Sequence, residues 1–343
     1  MRDLVVAGGG PVGLATALYA ARAGLDVLVR EPRTGPIDKA CGEGLMPGAV
    51  AALTDLGVVP AGRPIVGIRY LDGSRRVQAD FRHGPGRGVS RPVLHQALLT
   101  AVAAAGVDVV GPRVERVEPR SDRLLVDGEA TRYLIAADGL HSPVRRLVGL
   151  DRPAAREDRS RRFGLRRHVR MAPWTDYVEV HWSPGGEAYV TPLADDRIGI
   201  AVLTSRRAPF DELLAEFPAL ARRLAGGDPE RVRGAGPLRQ RVRGRVRGRV
   251  LLVGDAAGYV DALTGEGLAL GLAQARAAVA AVTRDQPAAY EWAARRVGWR
   301  HTALTLGLLT ATRVPAVRGH LVPAARRVPW VFGAAVNQLA RPA

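Results

Sequence analysis

The sequence predicts an α/β protein: a parallel, doubly wound sheet, an interrupting sheet that is mainly antiparallel, and helices at the C-terminal end. Three observations predict it. A short apolar run at 3–7 breaks into Gly8-Gly9-Gly10-Pro11-Val12-Gly13 and then a helix-period stretch. Two later apolar runs, at 133–137 and 250–253, each end in a turn carrying Asp and Gly. Between them, from 151 to 249, short β-rich segments replace the strand–helix alternation. The expected division is therefore 1–150 with 250–285 as one discontinuous parallel unit, 151–249 as an inserted sheet that pieces of 60–90 join, and 286–343 as a helical segment.

Each element has its own signal. From Pro11, Val12, Ala15, Leu18 and Tyr19 recur at three- and four-residue spacing, and Gly24 stops the helix. Residues 25–30 form a second strand ending at Glu31, which completes a βαβ opening of the kind that builds parallel sheets. Three prolines and four glycines make 32–48 a long loop. A helix over 49–56, strands around 65–70 and 76–81, and a helix from about Arg91 with Ser90 as its cap follow. Strands at 107–110, 114–119, 123–126 and 133–137 complete the first unit. The inserted region reads as strands at 163–169, 177–182, 188–193 and 198–203 with one helix over 209–224. The strand at 250–253 and a small-residue helix over 267–282 return to the parallel unit, and 286–339 is helical.

Composition narrows the class. The 343 residues carry 50 Lys plus Arg against 33 Asp plus Glu, a net charge of +17, with 47% hydrophobic residues. That is globular usage and excludes a disordered basic tail. One cysteine, Cys41, excludes a disulfide framework and cysteine-rich zinc or iron–sulfur centres, and the histidines show no metal-ligand spacing. No apolar stretch is long enough for a spanning helix, and the N-terminus enters a strand at once, which reads as a cytoplasmic protein. Lys39 is the only lysine; the remaining cations are arginine, read mainly as a coding habit. A charge of this size also raises anionic membrane or nucleic acid as partners. Alternate arginines from Arg239 to Arg249 would line one face of an extended ribbon. No base-stacking aromatics or nucleic-acid-binding signatures accompany them, so nucleic acid is not expected, whereas peripheral membrane contact by the C-terminal helices stays open. The oligomeric state is not legible.

The chemistry lies in the turns. Gly8-x-Gly10-x-x-Gly13 follows a strand and opens a helix at Pro11 and Val12. Gly8 allows a tight turn, Gly10 lets backbone amides approach a pyrophosphate, and Gly13 lets helix and strand close up. Glu31, 18 residues on, can accept both hydrogen bonds of a ribose diol. Asp138-Gly139 and Gly254-Asp255 stand at later strand ends, where carboxylates suit the hydroxyls of a ribityl chain. Thr264-Gly265-Glu266-Gly267 then leads into a helix whose positive end faces the same region.

With these three ordered motifs in place, the sequence resembles the group A FAD-dependent monooxygenase superfamily, built on the para-hydroxybenzoate hydroxylase fold, and in particular its geranylgeranyl-reductase-like branch. The resemblance covers about 1–285 and implies a Rossmann-type FAD-binding domain with an inserted substrate-binding sheet. It implies that Gly8, Gly10, Gly13 and Glu31 hold the ADP part and that Arg91, in Ser90-Arg91-Pro92, reaches the pyrophosphate side. Asp138 belongs to the motif tied to FAD and pyridine-nucleotide use. Asp255 would bind the ribityl and pyrophosphate region, with Gly265, Glu266 and Gly267 beside the isoalloxazine. Lys39-Ala40-Cys41-Gly42-Glu43-Gly44 is similar to the branch's Lys-x-Cys-Gly-(Gly/Glu)-Gly stretch, whose cysteine is a proposed proton donor near the flavin. The only lysine and the only cysteine thus stand two residues apart.

The inserted sheet would cover the flavin and form the substrate pocket. The family's aromatic strand motif ending in proline is only partly present, as Glu187-Ala188-Tyr189-Val190-Thr191-Pro192, and Tyr177 and His181 are further candidates on the neighbouring strand. Two reactions compete. NAD(P)H-driven hydroxylation of an aromatic, phenolic or polyketide-type molecule is favoured by the short C-terminal part. Reduction of an isoprenoid C=C bond, with Cys41 as proton donor, is favoured by the cysteine motif. Hydroxylation leads; a membrane- or nucleic-acid-associated flavoprotein is the third reading.

Overall fold

The computed structural model describes residues 1–152, 161–313 and 315–341. Its parallel sheet runs in the order Val250–Leu252, Glu129–Ala136, Arg2–Ala7, Val27–Arg30, Asp108–Val110, every pair parallel. The central strands are Val/Leu/Ile runs because both faces are covered. Leu4 and Val6 pack under helices on one side, whereas Val5 and Ala7 pack on the other against Val114, Leu124 and Val126 with Val144 of the short helix Pro143–Leu147. Register aligns Ala7 with Ala136 and Ala136 with Leu252, so the turns after the three strands meet at one edge.

The second sheet runs Asp228–Pro229, Phe163–Arg170, Arg197–Thr204, Gly186–Ala194, Tyr177–Ser183, Gly67–Asp72, Arg75–Asp80. Its main strands are antiparallel except that Gly67–Asp72 lies parallel to Tyr177–Ser183. Its outer face, with Ala188, Val190 and Ile200, packs on Phe210, Phe217 and Leu220. Its inner face, with Val180, Trp182, Tyr189 and Leu203, packs on Leu309, Val322 and Phe332 of the C-terminal helices. Tyr70 joins that layer edge-on to Trp182 and Phe332, with centroids 5.4 and 4.8 Å away.

Several local expectations change. The segment 209–224 is two helices, Phe210–Leu214 and Pro218–Leu224, because Pro218 cannot continue a helix but starts one well. The arginine run makes no ribbon: Arg241–Val242 and Val246–Arg247 pair in different sheets, and Gly248, at φ +57°, turns the second into Val250–Leu252. Ser90 occupies the cap position of Arg91–Ala104, yet its hydroxyl makes no capping bond; the Arg91 amide donates instead to Glu43 Oε1 at 2.7 Å. The expected boundary at 151 runs into residues 153–160, which lie outside the described residues.

Candidate active site

At the common strand edge, Gly8 has φ +101°, and a Cβ there would meet the Ala137 carbonyl and Asp138 backbone at 2.6–2.8 Å. A Cβ on Gly13 would run into the Gly8 carbonyl oxygen, whereas one on Gly10 meets nothing within 4 Å. The helix begins at Pro11, with Val12 packed against Gly254 and Gly271, so its first amides open onto free space at Gly10. Glu31 is buried; the Gly9 amide donates to Oε2 at 2.8 Å, and Arg33 donates to both oxygens at 2.7 and 2.9 Å. Burial alone would raise the Glu31 pKa, but the Arg33 and Gly9 hydrogen bonds outweigh it and hold it below the usual glutamate value. His95 ties this turn down: its Nδ1 accepts from the Ile37 amide (3.3 Å), so Nε2–H donates to the Gly9 carbonyl (2.7 Å).

Asp138 and Asp255 end their strands beside this turn. Asp138 Oδ2 accepts the Val144 amide at 3.0 Å, Gly139 has φ +86°, and burial pushes the Asp138 pKa up. Lys39 bridges the two motifs, with Nζ 3.8 Å from Asp255 Oδ2 and 3.6 Å from where a Gly139 Cβ would stand. The Lys39–Gly44 loop then crosses to the inner face of the second sheet. Thr191 Oγ donates to the Gly42 carbonyl at 2.8 Å, and His168 Nε2 lies 2.7 Å from Glu43 Oε2. Glu43 has φ +59°, and its own amide donates to Cys41 Sγ at 3.4 Å. Arg91 Nη1 stands 4.0 Å from the same sulfur, which is half-buried. One carboxylate thus caps the Arg91–Ala104 helix, binds the sheet and shapes the cysteine turn.

Gly265 turns at φ +70° with nothing within 4 Å of a Cβ, and Gly267 rests on the Tyr259 ring. The side chains of Thr264 and Glu266 point away: Thr264 bonds Thr305 (3.1 Å) and Glu266 Oε2 bonds His301 Nδ1 (2.9 Å), both on the helix Ala289–Arg313. Burial raises the Glu266 pKa, against the pull of His301. This motif therefore offers backbone, not carboxylate, to the strand edge.

The expected pocket residues divide between two faces. Tyr189, whose hydroxyl donates to the Leu263 carbonyl at 3.0 Å, and Thr191 are on the inner face; Pro192 follows, with its carbonyl against Gly88. Tyr177 and His181 are on the outer face, where Tyr177 donates to Asp80 (2.7 Å) and His181 lies 3.3 Å from Glu179. The strand's inner wall is Val178, Val180 and Trp182, so its apolar alternation carried the better signal for the pocket side. Between this wall and the C-terminal helices lies a cavity of about 480 Å³ lined by Trp182, Leu203 and Leu309, with Glu187, Arg162 and Arg318 at its polar end. Arg318 donates to Glu187 at 3.0 Å and Arg162 also pairs with it; burial still raises the Glu187 pKa.

Arg166 and His168, the partners of Glu43 on the sheet, were not singled out from sequence. Alternation in 163–169 does place Arg166 and His168 on one strand face, but not opposite which loop.

These residues suit FAD. Gly10 leaves an open amide cradle, Glu31 is a buried carboxylate at ribose distance along the motif, and two carboxylates with Lys39 and Arg91 line the way to Cys41. Two buried polar atoms on the motif residues, Arg91 Nε and Asp138 Oδ1, have no partner among the described residues, as groups do whose partner is a ligand.

No family model matches the chain. Menaquinone reductase of Mycobacterium tuberculosis (strain ATCC 25618 / H37Rv) is 34% identical over 315 residues, covering 80% of this chain and 75% of the relative. Digeranylgeranylglycerophospholipid reductase 1 of Methanothermobacter thermautotrophicus is 28% identical over 302 residues, covering 79% and 74%. Among solved structures, a geranylgeranyl bacteriochlorophyll reductase-like protein from Thermoplasma acidophilum superposes with TM-score 0.76 at 22% identity, covering 91% of this chain and 87% of that one, which supports the fold.

Proposed function

Since the chain belongs to the geranylgeranyl-reductase-like family of FAD-dependent oxidoreductases, we propose that it reduces a C=C bond in the isoprenoid part of a quinone or lipid, with Cys41 as proton donor. The observation that carries this reading is the held position of Cys41, in a loop tied to Asp255 through Lys39 and to the pocket face through Glu43 and Thr191. Hydroxylation, the leading expectation from the sequence, gives way to alkene reduction because these sequence relatives bear reductase names and the sole thiol stands 4.0 Å from Arg91 Nη1.

Gly8, Gly10, Gly13 and Glu31 would hold the ADP half of FAD, Arg91 and Asp255 its pyrophosphate and ribityl portions, and the Gly265–Gly267 backbone would face the ring. FAD held here, with NAD(P)H as reductant, would supply hydride chemistry to one alkene carbon. The Cys41 thiol gives the proton to the other. The thiolate that results has the Glu43 amide at 3.4 Å and the Arg91 guanidinium at 4.0 Å, a donor and a cation that stabilise it until a proton returns. The apolar cavity along Trp182 and Leu309 takes the isoprenoid chain and excludes water, and Glu187 with Arg318 meets its polar end.

The test is to photoreduce the yellow holoprotein anaerobically and add a polyprenyl quinone or geranylgeranyl lipid. Reoxidation of the flavin with saturation of one C=C bond is expected, and Cys41→Ser should keep its flavin while losing that step by at least about a hundredfold. Unchanged turnover in the Ser variant removes Cys41 from the chemistry. Reoxidation by oxygen with a hydroxylated product replaces the reductase reading.

A further inference from the structure

The helix Ala289–Arg313 has one face that no part of the described chain covers. Tyr290, Ala294, His301, Thr305 and Leu309 are buried at four- and seven-residue spacing. On the opposite side Trp292 and Trp299 are 65% and 59% exposed, and Leu306 continues their stripe. Residues seven apart drift only about 20° round a helix, so these three form one ridge about 21 Å long. Arg296 and Arg300 lie over the two indoles, at 5.3 and 5.4 Å from the ring centroids. A third indole, Trp330, is 72% exposed beside Val328 and Val331 and follows Arg326 and Arg327. Three of the five tryptophans are thus in solvent, although burying an indole is among the largest gains open to a side chain.

The charge selects the occupant. After Glu291 the chain has eight arginines and no Asp or Glu. A two-fold contact of this ridge with a second copy would set cation against cation. An anionic bilayer interface satisfies both halves of the pattern, since indoles settle at the headgroup level and arginines pair with phosphates. The ridge also adjoins the interior: Leu306 and Thr310 line a smaller cavity of about 120 Å³ that shares Leu309 and Arg162 with the large one.

We propose that the Trp292–Trp299–Leu306 ridge and its arginines are a docking surface for anionic lipid. The holoprotein would lie on the membrane with its cavity mouth at the interface. No helix of the described residues is long and apolar enough to cross a membrane, so the contact is peripheral.

The holoprotein is sedimented with phosphatidylcholine vesicles, with and without 30 mol% (about) phosphatidylglycerol, at physiological salt. Partitioning into the anionic vesicles should exceed that into the neutral ones at least tenfold. Trp292→Ser with Trp299→Ser should lower it at least tenfold, and Arg296→Gln with Arg300→Gln about thirtyfold, at roughly fivefold per cation. Brominated acyl chains should quench tryptophan fluorescence in the unaltered protein, a readout that does not depend on how a variant folds. Wild-type binding that the Trp pair does not change, absence of quenching, release by duplex DNA at the same salt, or Trp-dependent dimerisation without vesicle binding would each overturn the proposal.

Discussion

Removing His168 should loosen the Cys41 turn, which Thr191 still ties to the sheet at Gly42, and the cost can be worked from the contacts. Glu43 and His168 are 1% and 5% exposed at the side chain and meet at 2.7 Å. A buried hydrogen bond to a charged group contributes about 1.5–3 kcal/mol, and losing one partner of a buried pair costs about 3–5 kcal/mol when nothing replaces it. Here the Arg91 amide stays at 2.7 Å from Oε1, and Arg166 Nε at 3.8 Å from Oε2. Two of the carboxylate's neighbours survive, so His168→Ala should cost ~2–3 kcal/mol, below the cost of a fully orphaned charge and near that of the hydrogen bond itself. Glu43→Gln, which keeps the shape, should cost ~1–2 kcal/mol. If the pair acts as one unit, the double variant costs at least ~1.5 kcal/mol less than the sum. The assay is denaturant unfolding of the FAD-saturated protein, with the rate of Cys41 alkylation measured in parallel. Both single variants should speed alkylation. A coupling below about 0.5 kcal/mol, or alkylation rates equal to wild type, would refute the account of Glu43 as the brace of the cysteine turn.

Two other outcomes follow from the same geometry. Gly13→Ala puts a methyl into the Gly8 carbonyl oxygen, so the purified protein should lose most of its bound flavin absorbance; full retention would mean that the turn adapts. Glu266, whose pKa burial raises, holds more protons folded than unfolded between about its ordinary value of 4.5 and its raised value, so its contribution to stability falls as pH climbs through that window. Glu266→Gln removes the titration, and its stability relative to wild type should rise with pH from 4.5 and then level off; a difference constant from pH 4.5 to 8 in thermal melts would contradict this.

The legible part of the site is the part written locally. Gly8 to Gly13 and Glu31 declare themselves because turn, helix start and second strand occupy one short stretch, where steric need dictates residue type. Lys39 and Cys41 were legible as a motif, but their anchors were not: Thr191 lies 149 residues from Gly42, and His168 lies 125 from Glu43. Nothing in a strand's alternation tells which loop its face will meet. The strand Tyr177–Ser183 shows the related ambiguity. Its two faces were evident, but a polar face with Tyr177 and His181 invites a catalytic reading, while the wall an apolar substrate needs is Val178, Val180 and Trp182. Ser90 misled in a different way. Cap preference describes what a residue can do, and a buried carboxylate from a distant turn competed successfully for the same amide.

The parallel pairing of Gly67–Asp72 with Tyr177–Ser183 has a consequence for the protein's birth on the ribosome. Ile68 and Tyr70 belong to a layer whose other members, Val180, Trp182 and Phe332, are translated more than a hundred residues later. At roughly 5–20 residues per second the hairpin waits about 5–20 s or longer with its aromatic side uncovered. During that interval Gly67–Asp80 is an unpaired edge and a natural client for a chaperone. Cutting the gene at the boundary between the parallel unit and the inserted sheet would make the wait permanent, so neither half should be stable when expressed alone.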